Sequence, residues 1–254
     1  PLLEDNDFFP DFSIIPSSIL NRAKTLYLCY PNNPTGATAT EDFFKRVVEF
    51  ASKNGIVVIH DAAYGALTYD GYKPFSFLSV KGAIDIGIEV HSLSKAFNMT
   101  GWRMGFVCGN ADAVKAYATV KDNTDSGQFR GVQKAAIKAL NSIDITHNTI
   151  EKYSRRFDML VPALKEIGFN AKKPKGSFYC YVKAPTGTEE GLEFKSATDF
   201  STFLIRNALI STVPWDDAGQ YIRFSVTFSA NSIEEEINII DEMKNRMKAL
   251  KLKF

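Results

Sequence analysis

Short apolar runs at Thr25–Tyr30 (TLYLCY), Gly55–His60 (GIVVIH), Asp85–Leu93 and Met104–Gly109 punctuate the first half of the chain. Each is too short for a helix and too continuous for a strand with one wet face, so each reads as a strand buried on both sides. Between the first two lies TEDFFKRVVEFASKNG, an amphipathic helix with Thr40 at its start, acid in its first turn and Gly55 at its stop. A shorter helix is expected from about Pro16 to Ala23, with Ser17 or Ser18 helping to cap it. Alternation of continuous apolar strands with helices predicts an α/β, doubly wound, mostly parallel sheet through roughly residue 145. Ligands of such sheets bind at the carboxyl ends of the strands.

Two helices are expected next, Gly127–Asn141 and about Ile145–Ile167, and after Gly168 the pattern changes. Ser177–Lys183 alternates as a strand, Ala197–Asn207 reads as a helix, Tyr221–Phe228 as a strand and Ser232–Lys251 as a closing helix, with Pro-Lys-Gly and Pro-Thr-Gly turns between elements. The expected division is therefore residues 1–150 for the larger unit and 151–254 for a smaller α+β unit. Its boundary falls inside a helix rather than in a flexible linker.

Charge narrows the choice of partners. Thirty Lys and Arg balance 29 Asp and Glu, and the basic residues are scattered, so there is no electrostatic footprint for nucleic acid or an acidic membrane. Cys29, Cys108 and Cys180 lie far apart in apolar stretches, without zinc-ligand spacing. They read as reduced core thiols of a cytoplasmic protein, and no metal site is expected. No apolar run approaches the about 20 residues needed to span a bilayer, and no basic-then-apolar leader opens the chain. It begins at Pro1 rather than Met, which suggests that an upstream portion is absent.

Four clusters follow the expected strands. Pro31-Asn32-Asn33-Pro34-Thr35-Gly36 alone is an ordinary strand-to-helix turn. Asp61-Ala62-Ala63-Tyr64 alone is a helix cap, and Arg223 within Tyr221–Ser225 an edge-strand charge. Ser92-Leu93-Ser94-Lys95 with Arg103 eight residues on is less ordinary, because it sets hydroxyls, an amine and a guanidinium between two apolar strands.

In this order and combination, the clusters resemble the fold-type I pyridoxal-phosphate aminotransferases of class I and II. The resemblance runs over nearly the whole chain and implies the cofactor pyridoxal 5'-phosphate, amino-acid and 2-oxo-acid substrates, and a homodimer. It implies Lys95 as the lysine that bonds to the cofactor and shuttles a proton. Asp61 corresponds to the carboxylate that holds the proton on the cofactor ring nitrogen. Asn33 and Tyr64 correspond to ligands of the ring oxygen, with Asn33 also facing substrate, and Ala63 to the small residue against the ring. Ser92, Ser94 and Arg103 belong to the phosphate side, and Arg223 to the clamp for the substrate carboxylate. Trp215, Asp216 and Asp217 read better as a solvated loop than as a substrate mouth. His91 reads as a satisfied core histidine, and Gly176-Ser177-Phe178-Tyr179 as a structural turn near the substrate.

Several stretches are similar to LL-diaminopimelate aminotransferases: the acidic N-x-F-x-P-D segment in Glu4–Asp11, Tyr30–Gly36, Asn123–Gln133, Thr212–Ala218 and Ile222–Phe228. That likeness implies exchange of an amino group between LL-diaminopimelate and 2-oxoglutarate. Aspartate, alanine and aromatic aminotransferases share the core motifs and stay open, as does a β-lyase on the same fold or a fold relative without the cofactor. The family also carries a glycine-rich phosphate loop and a ring-stacking aromatic upstream of the segment matching residue 1. This chain has no glycine before Gly36, so the 254 residues alone are expected to bind the cofactor weakly and turn over little.

Overall fold

A computed structural model describes residues 1–125 and 127–254 of the chain. Ser126, inside the Asn123–Gln133 stretch, lies outside the described residues. A short helix α1 (Ser17–Leu20) leads into β1 (Thr25–Cys29), α2 (Glu41–Asn54), β2 (Val57–Asp61), α3 (Ala83–Ile86) and β3 (Gly87–Ser92). The brief helix α4 (Leu93–Ala96) follows directly, then β4 (Gly105–Gly109). These strands form one sheet in the order β1-β2-β3-β4.

Local chemistry accounts for the boundaries. The Thr40 hydroxyl accepts the Phe43 amide at the start of α2, and Gly55 stops the helix in a left-handed conformation. The helix buries Phe43, Phe44, Val47 and Ala51 against β1 and β2, together with Phe77 and Val80. Strands β1, β2 and β3 are parallel, whereas β4 runs antiparallel to β3. The sheet is therefore mostly parallel, as expected, with the antiparallel strand at its end. A parallel return would carry the chain back to the far end of the sheet, but Leu93–Met104 reverses at the same end.

Helices α5 (Ala111–Asp125), α6 (Arg130–Leu140) and α7 (Ile143–Ile167) come next. None of the side chains of α5 is buried, so no apolar stripe announces it, and the pattern does not predict it. The remaining elements are β5 (Tyr179–Lys183), β6 (Gly187–Thr188), α8 (Ala197–Ala208), β7 (Val213–Trp215), β8 (Tyr221–Ser225), α9 (Ile233–Lys248) and β9 (Leu252–Lys253). A second sheet has the order β5-β8-β7, antiparallel throughout, and β6 pairs with β9. Strands β6, β7 and β9 are too short to leave a periodic signal.

The largest core cluster joins the second sheet to α7, α8 and α9, and it reaches Tyr64, Tyr69 and Ala96 on the first-sheet side. Within it Arg156 of α7 is fully buried. Its Nε donates to Glu236 Oε1 at 2.8 Å, and its Nη1 to the carbonyls of Val226 and Phe228. Arg155 donates to the same carboxylate, so α7, α9 and the exit of β8 are held at one point. No helix among the described residues is long and apolar enough to cross a membrane.

Candidate active site

The pivot is the segment between β3 and β4. Ser92 ends β3 and caps α4, its Oγ accepting the Ser94 amide at 3.1 Å. Because that oxygen accepts, its own hydrogen remains available to donate. Asn98 and Arg103 take left-handed conformations, with φ of 56° and 50°, and these bends return the chain to β4. Thr100 ties the segment back by donating to the Ser94 carbonyl at 2.9 Å. Lys95 is thus presented from a short, doubly anchored turn. Its Nζ lies 5.5 Å from the Phe178 ring centre and 5.8 Å from that of Tyr64, and it forms no ion pair among the described residues.

Lys95 opens onto a cavity of about 440 Å3 lined by Ser94, Tyr153, Phe178, Tyr179 and Arg223, with Thr227 at its rim. Arg223 comes from β8, opposite Tyr181 in the register. Its guanidinium carbon sits 3.8 Å from the centre of the Tyr179 ring and 5.6 Å from that of Trp215. Arg223 Nη1 donates to Asn33 Oδ1, while Nε is buried without a partner among the described residues. A buried donor left unpaired costs stability, and the same guanidinium lines the cavity, the kind of group that binds a carboxylate.

Asn33 reaches Arg223 because the loop after β1 packs directly on the turn before β5. Gly36, at φ +72°, is required there, since a Cβ would fall 2.7 Å from that of Pro174. Asn32 stiffens the loop by accepting from the Thr35 amide and hydroxyl. Asp61 ends β2 in register with Cys29 and Val90. It accepts from the Ala63 amide at 3.0 Å and from the Tyr27 hydroxyl at 3.3 Å, and has no cationic partner among the described residues. Burial pushes the neighbouring Cys29 thiol up to about 11, which keeps it protonated and unreactive. Tyr64 is buried, edge-on to Phe178 and Tyr179. Burial, reinforced by the Tyr179 phenol, raises its hydroxyl far above the ordinary range, so it acts as a neutral donor.

Ser94, Lys95 and Arg223 therefore share one cavity, Asn33 is joined to Arg223, and Tyr64 lies beside Lys95. Asp61 and Ala63 are joined to each other at the end of β2. Ser92 is committed to capping but keeps a free hydrogen. Arg103 is exposed, donates to the Thr100 carbonyl at 2.9 Å and lies outside the cavity lining. Tyr153 is absent from the sequence reading and arrives from α7 with no local signal. Tyr179, read as part of a structural turn near the substrate, stacks on the candidate clamp. Trp215 also sits closer to Arg223 than a solvated loop allows, whereas Asp216 caps α8 by accepting the Ala197 and Thr198 amides. His91 is satisfied by Glu89 at 3.0 Å, as expected.

Comparison with known proteins identifies the chain's family. The family profile described as "Aminotransferase class I and II" matches residues 1–240. The LL-diaminopimelate aminotransferases of Methanocaldococcus jannaschii and Methanococcus maripaludis are 55% and 54% identical to all of this chain, which spans 62% of their length. Apo-BacF from Bacillus subtilis superposes with a TM-score of 0.89 at 35% identity, covering 99% of this chain and 65% of that one. With a match over nearly its whole length, the chain belongs to the class I and II aminotransferase family.

Proposed function

We propose that the protein carrying this chain is a pyridoxal-phosphate-dependent aminotransferase that moves an amino group between LL-diaminopimelate and 2-oxoglutarate. The observation that carries the reading is the pairing in one cavity of Lys95, an amine without an ion partner among the described residues, and Arg223, a guanidinium with one buried donor unsatisfied among them. The substrate named comes from the relatives more than half identical to the chain.

The residues suit the cofactor. The carboxylate of Asp61 lacks a cation and matches a protonated ring nitrogen, the Ser92 hydroxyl is free to donate to a phosphate, and Lys95 is the amine available for covalent attachment. When bound, pyridoxal phosphate supplies an electron sink for the pair left at the substrate α-carbon. Arg223 holds the substrate carboxylate and fixes the α-carbon relative to Lys95, and Asn33 orients the guanidinium. The Lys95 amine carries the proton to and from the α-carbon. Tyr64 donates a hydrogen bond from its neutral hydroxyl, and the rings of Phe178 and Tyr179 limit water access. Arg103 serves the phosphate side after swinging off the Thr100 carbonyl. Residues 1–150 form the cofactor-binding unit and 151–254 the smaller one. Exposed Phe129, Ile137 and Leu140 along α6 support a homodimer, and three free cysteines support a cytoplasmic setting.

The test uses the protein translated from its natural reading frame and loaded with the cofactor. Glutamate formed from LL-diaminopimelate and 2-oxoglutarate is the expected result. Equal rates with aspartate, alanine or phenylalanine as donor would refute the substrate. Pyruvate released from a β-substituted amino acid without any 2-oxo acid would replace the transferase by a lyase.

A further inference from the structure

The antiparallel pair β3/β4 carries a second set of reactive side chains that the proposed chemistry leaves unused. Glu89 stands opposite Cys108 and His91 opposite Phe106, so alternation puts all four on one face of the sheet. The ligand atoms of Glu89, His91 and Cys108 lie within 4.8 Å of one another. From this juxtaposition we propose that Glu89, His91 and Cys108 form a binding site for a thiophilic divalent cation of the zinc type.

The carboxylate is oriented in advance. Glu89 is 3% exposed, and its Oε1 accepts from His60 Nδ1 at 3.1 Å, Ser76 Oγ at 3.0 Å and the Phe77 amide at 2.7 Å. Three donors saturate that oxygen and leave Oε2 as the ligand, the outer-sphere arrangement that holds metal-binding carboxylates. Among the described residues Oε2 meets only His91 Nε2, at 3.0 Å. Stacking on Phe106, 4.8 Å between centres and 13° between planes, fixes that imidazole. Cys108 is a free thiol, and the sulfur hydrogen bonds among the described residues belong to Cys29 and Cys180.

Carboxylate, imidazole and thiol are the donor types zinc takes. Bonds of about 2.0–2.3 Å in a tetrahedron set ligand atoms about 3.3–3.8 Å apart, so from a separation within 4.8 Å the thiol closes by at most about 1.5 Å. Glu89 and His91 also border a cavity of about 320 Å3, which offers room for water as the fourth ligand. Burial, then the charge of Glu89, raises the Cys108 thiol, so the ion enters by displacing its proton. Linear spacing hides this site because strand pairing brings Cys108 to a Glu-x-His pair. The bound ion would lock together the strands on either side of Leu93–Met104, the segment that presents Lys95.

The experiment takes the protein from its natural reading frame, freed of cofactor and stripped with a chelator, and titrates it with Co2+. One ion per chain, a near-ultraviolet thiolate-to-cobalt absorption band, displacement by Zn2+ and release of a proton are expected. Cys108→Ser should abolish the band and His91→Gln should weaken binding about 100-fold, while Ser76→Ala costs about 10-fold through the carboxylate. Cys29→Ser and Cys180→Ser should keep the band. Zn2+ should also raise the melting temperature of the unmodified protein but not of His91→Gln, which reads the site even if Cys108→Ser folds poorly. Absence of the band in the unmodified protein, its persistence in Cys108→Ser, or an equal Zn2+ shift in His91→Gln would overturn the proposal and leave a plain hydrogen-bonded Glu–His network.

Discussion

Two inward-facing arginines, Arg156 fully buried and Arg223 half-buried, are treated in opposite ways. Arg156 meets the Glu236 carboxylate and two carbonyls, and its charge is answered inside the protein. Arg223 meets only the Asn33 amide oxygen and the faces of Tyr179 and Trp215, with no carboxylate among the described residues. Each leaves one buried nitrogen unpartnered, Nη2 in Arg156 and Nε in Arg223. The difference is where the counter-charge comes from. A compensated cation organises the fold, whereas an uncompensated one beside a cavity costs stability unless a ligand completes it.

The largest effect expected is on the cavity side. Lys95→Ala should lower kcat at least about 10^3-fold while leaving thermal unfolding nearly unchanged, and steady-state kinetics beside a melting curve will check both halves. Arg156→Met should do the reverse. Glu236 keeps Arg155 but loses one of its two cations, and the Val226 and Phe228 carbonyls lose their donor, at a cost of about 3 kcal/mol by chemical denaturation, with the KM of the folded fraction unaltered. A raised KM in that variant would dissolve the contrast. Arg223→Lys replaces a planar fork by a point charge, so KM for the amino donor should rise about 10–100-fold with no loss of stability.

Acid should attack the Arg156 side selectively. Burial pushes the Glu236 carboxyl up, but hydrogen bonds from Arg155 and Arg156 outweigh it and hold the group below its ordinary 4.5. A depressed pKa means stability that is present above 4.5 and lost as pH falls below it. The slope contributed is at most about 1.4 kcal/mol per pH unit, and Glu236→Gln should remove it from pH-dependent melting. The smallest effect belongs to Asp216→Ala, about 1 kcal/mol through the lost bonds to the Ala197 and Thr198 amides at the start of α8, which Ser196 still caps. An accompanying rise in KM would restore that loop as a substrate mouth.

Local rules made some of this molecule readable in advance. The span of α2 followed from Thr40, Gly55 and the spacing of its phenylalanines, because caps and periodicity act within a few residues. The Lys95 segment and the Asn33 turn were marked out by their joint resemblance to the family's motifs, since alone the turn is ordinary and the segment only less so. The antiparallel β4 was not, since direction depends on where Leu93–Met104 turns. Nor was α5, whose exposed side chains carry no stripe. Tyr153 joins Lys95 across the fold, and Arg223 meets Asn33 at a separation of 190 residues. Such partners are set by packing, which no window of sequence contains.

Helix α7 places Tyr153 and Arg156 one turn apart, hence on one face. The cavity wall and the fold's main ionic anchor are therefore read by a single rigid rod. For directed evolution this makes the two positions one unit of variation. Libraries that change cavity shape at Tyr153 will rotate or shift the Arg156 anchor, and the two sets of substitutions will combine non-additively. Broadened specificity is better sought at Trp215, which borders Arg223 from a strand that α7 does not carry.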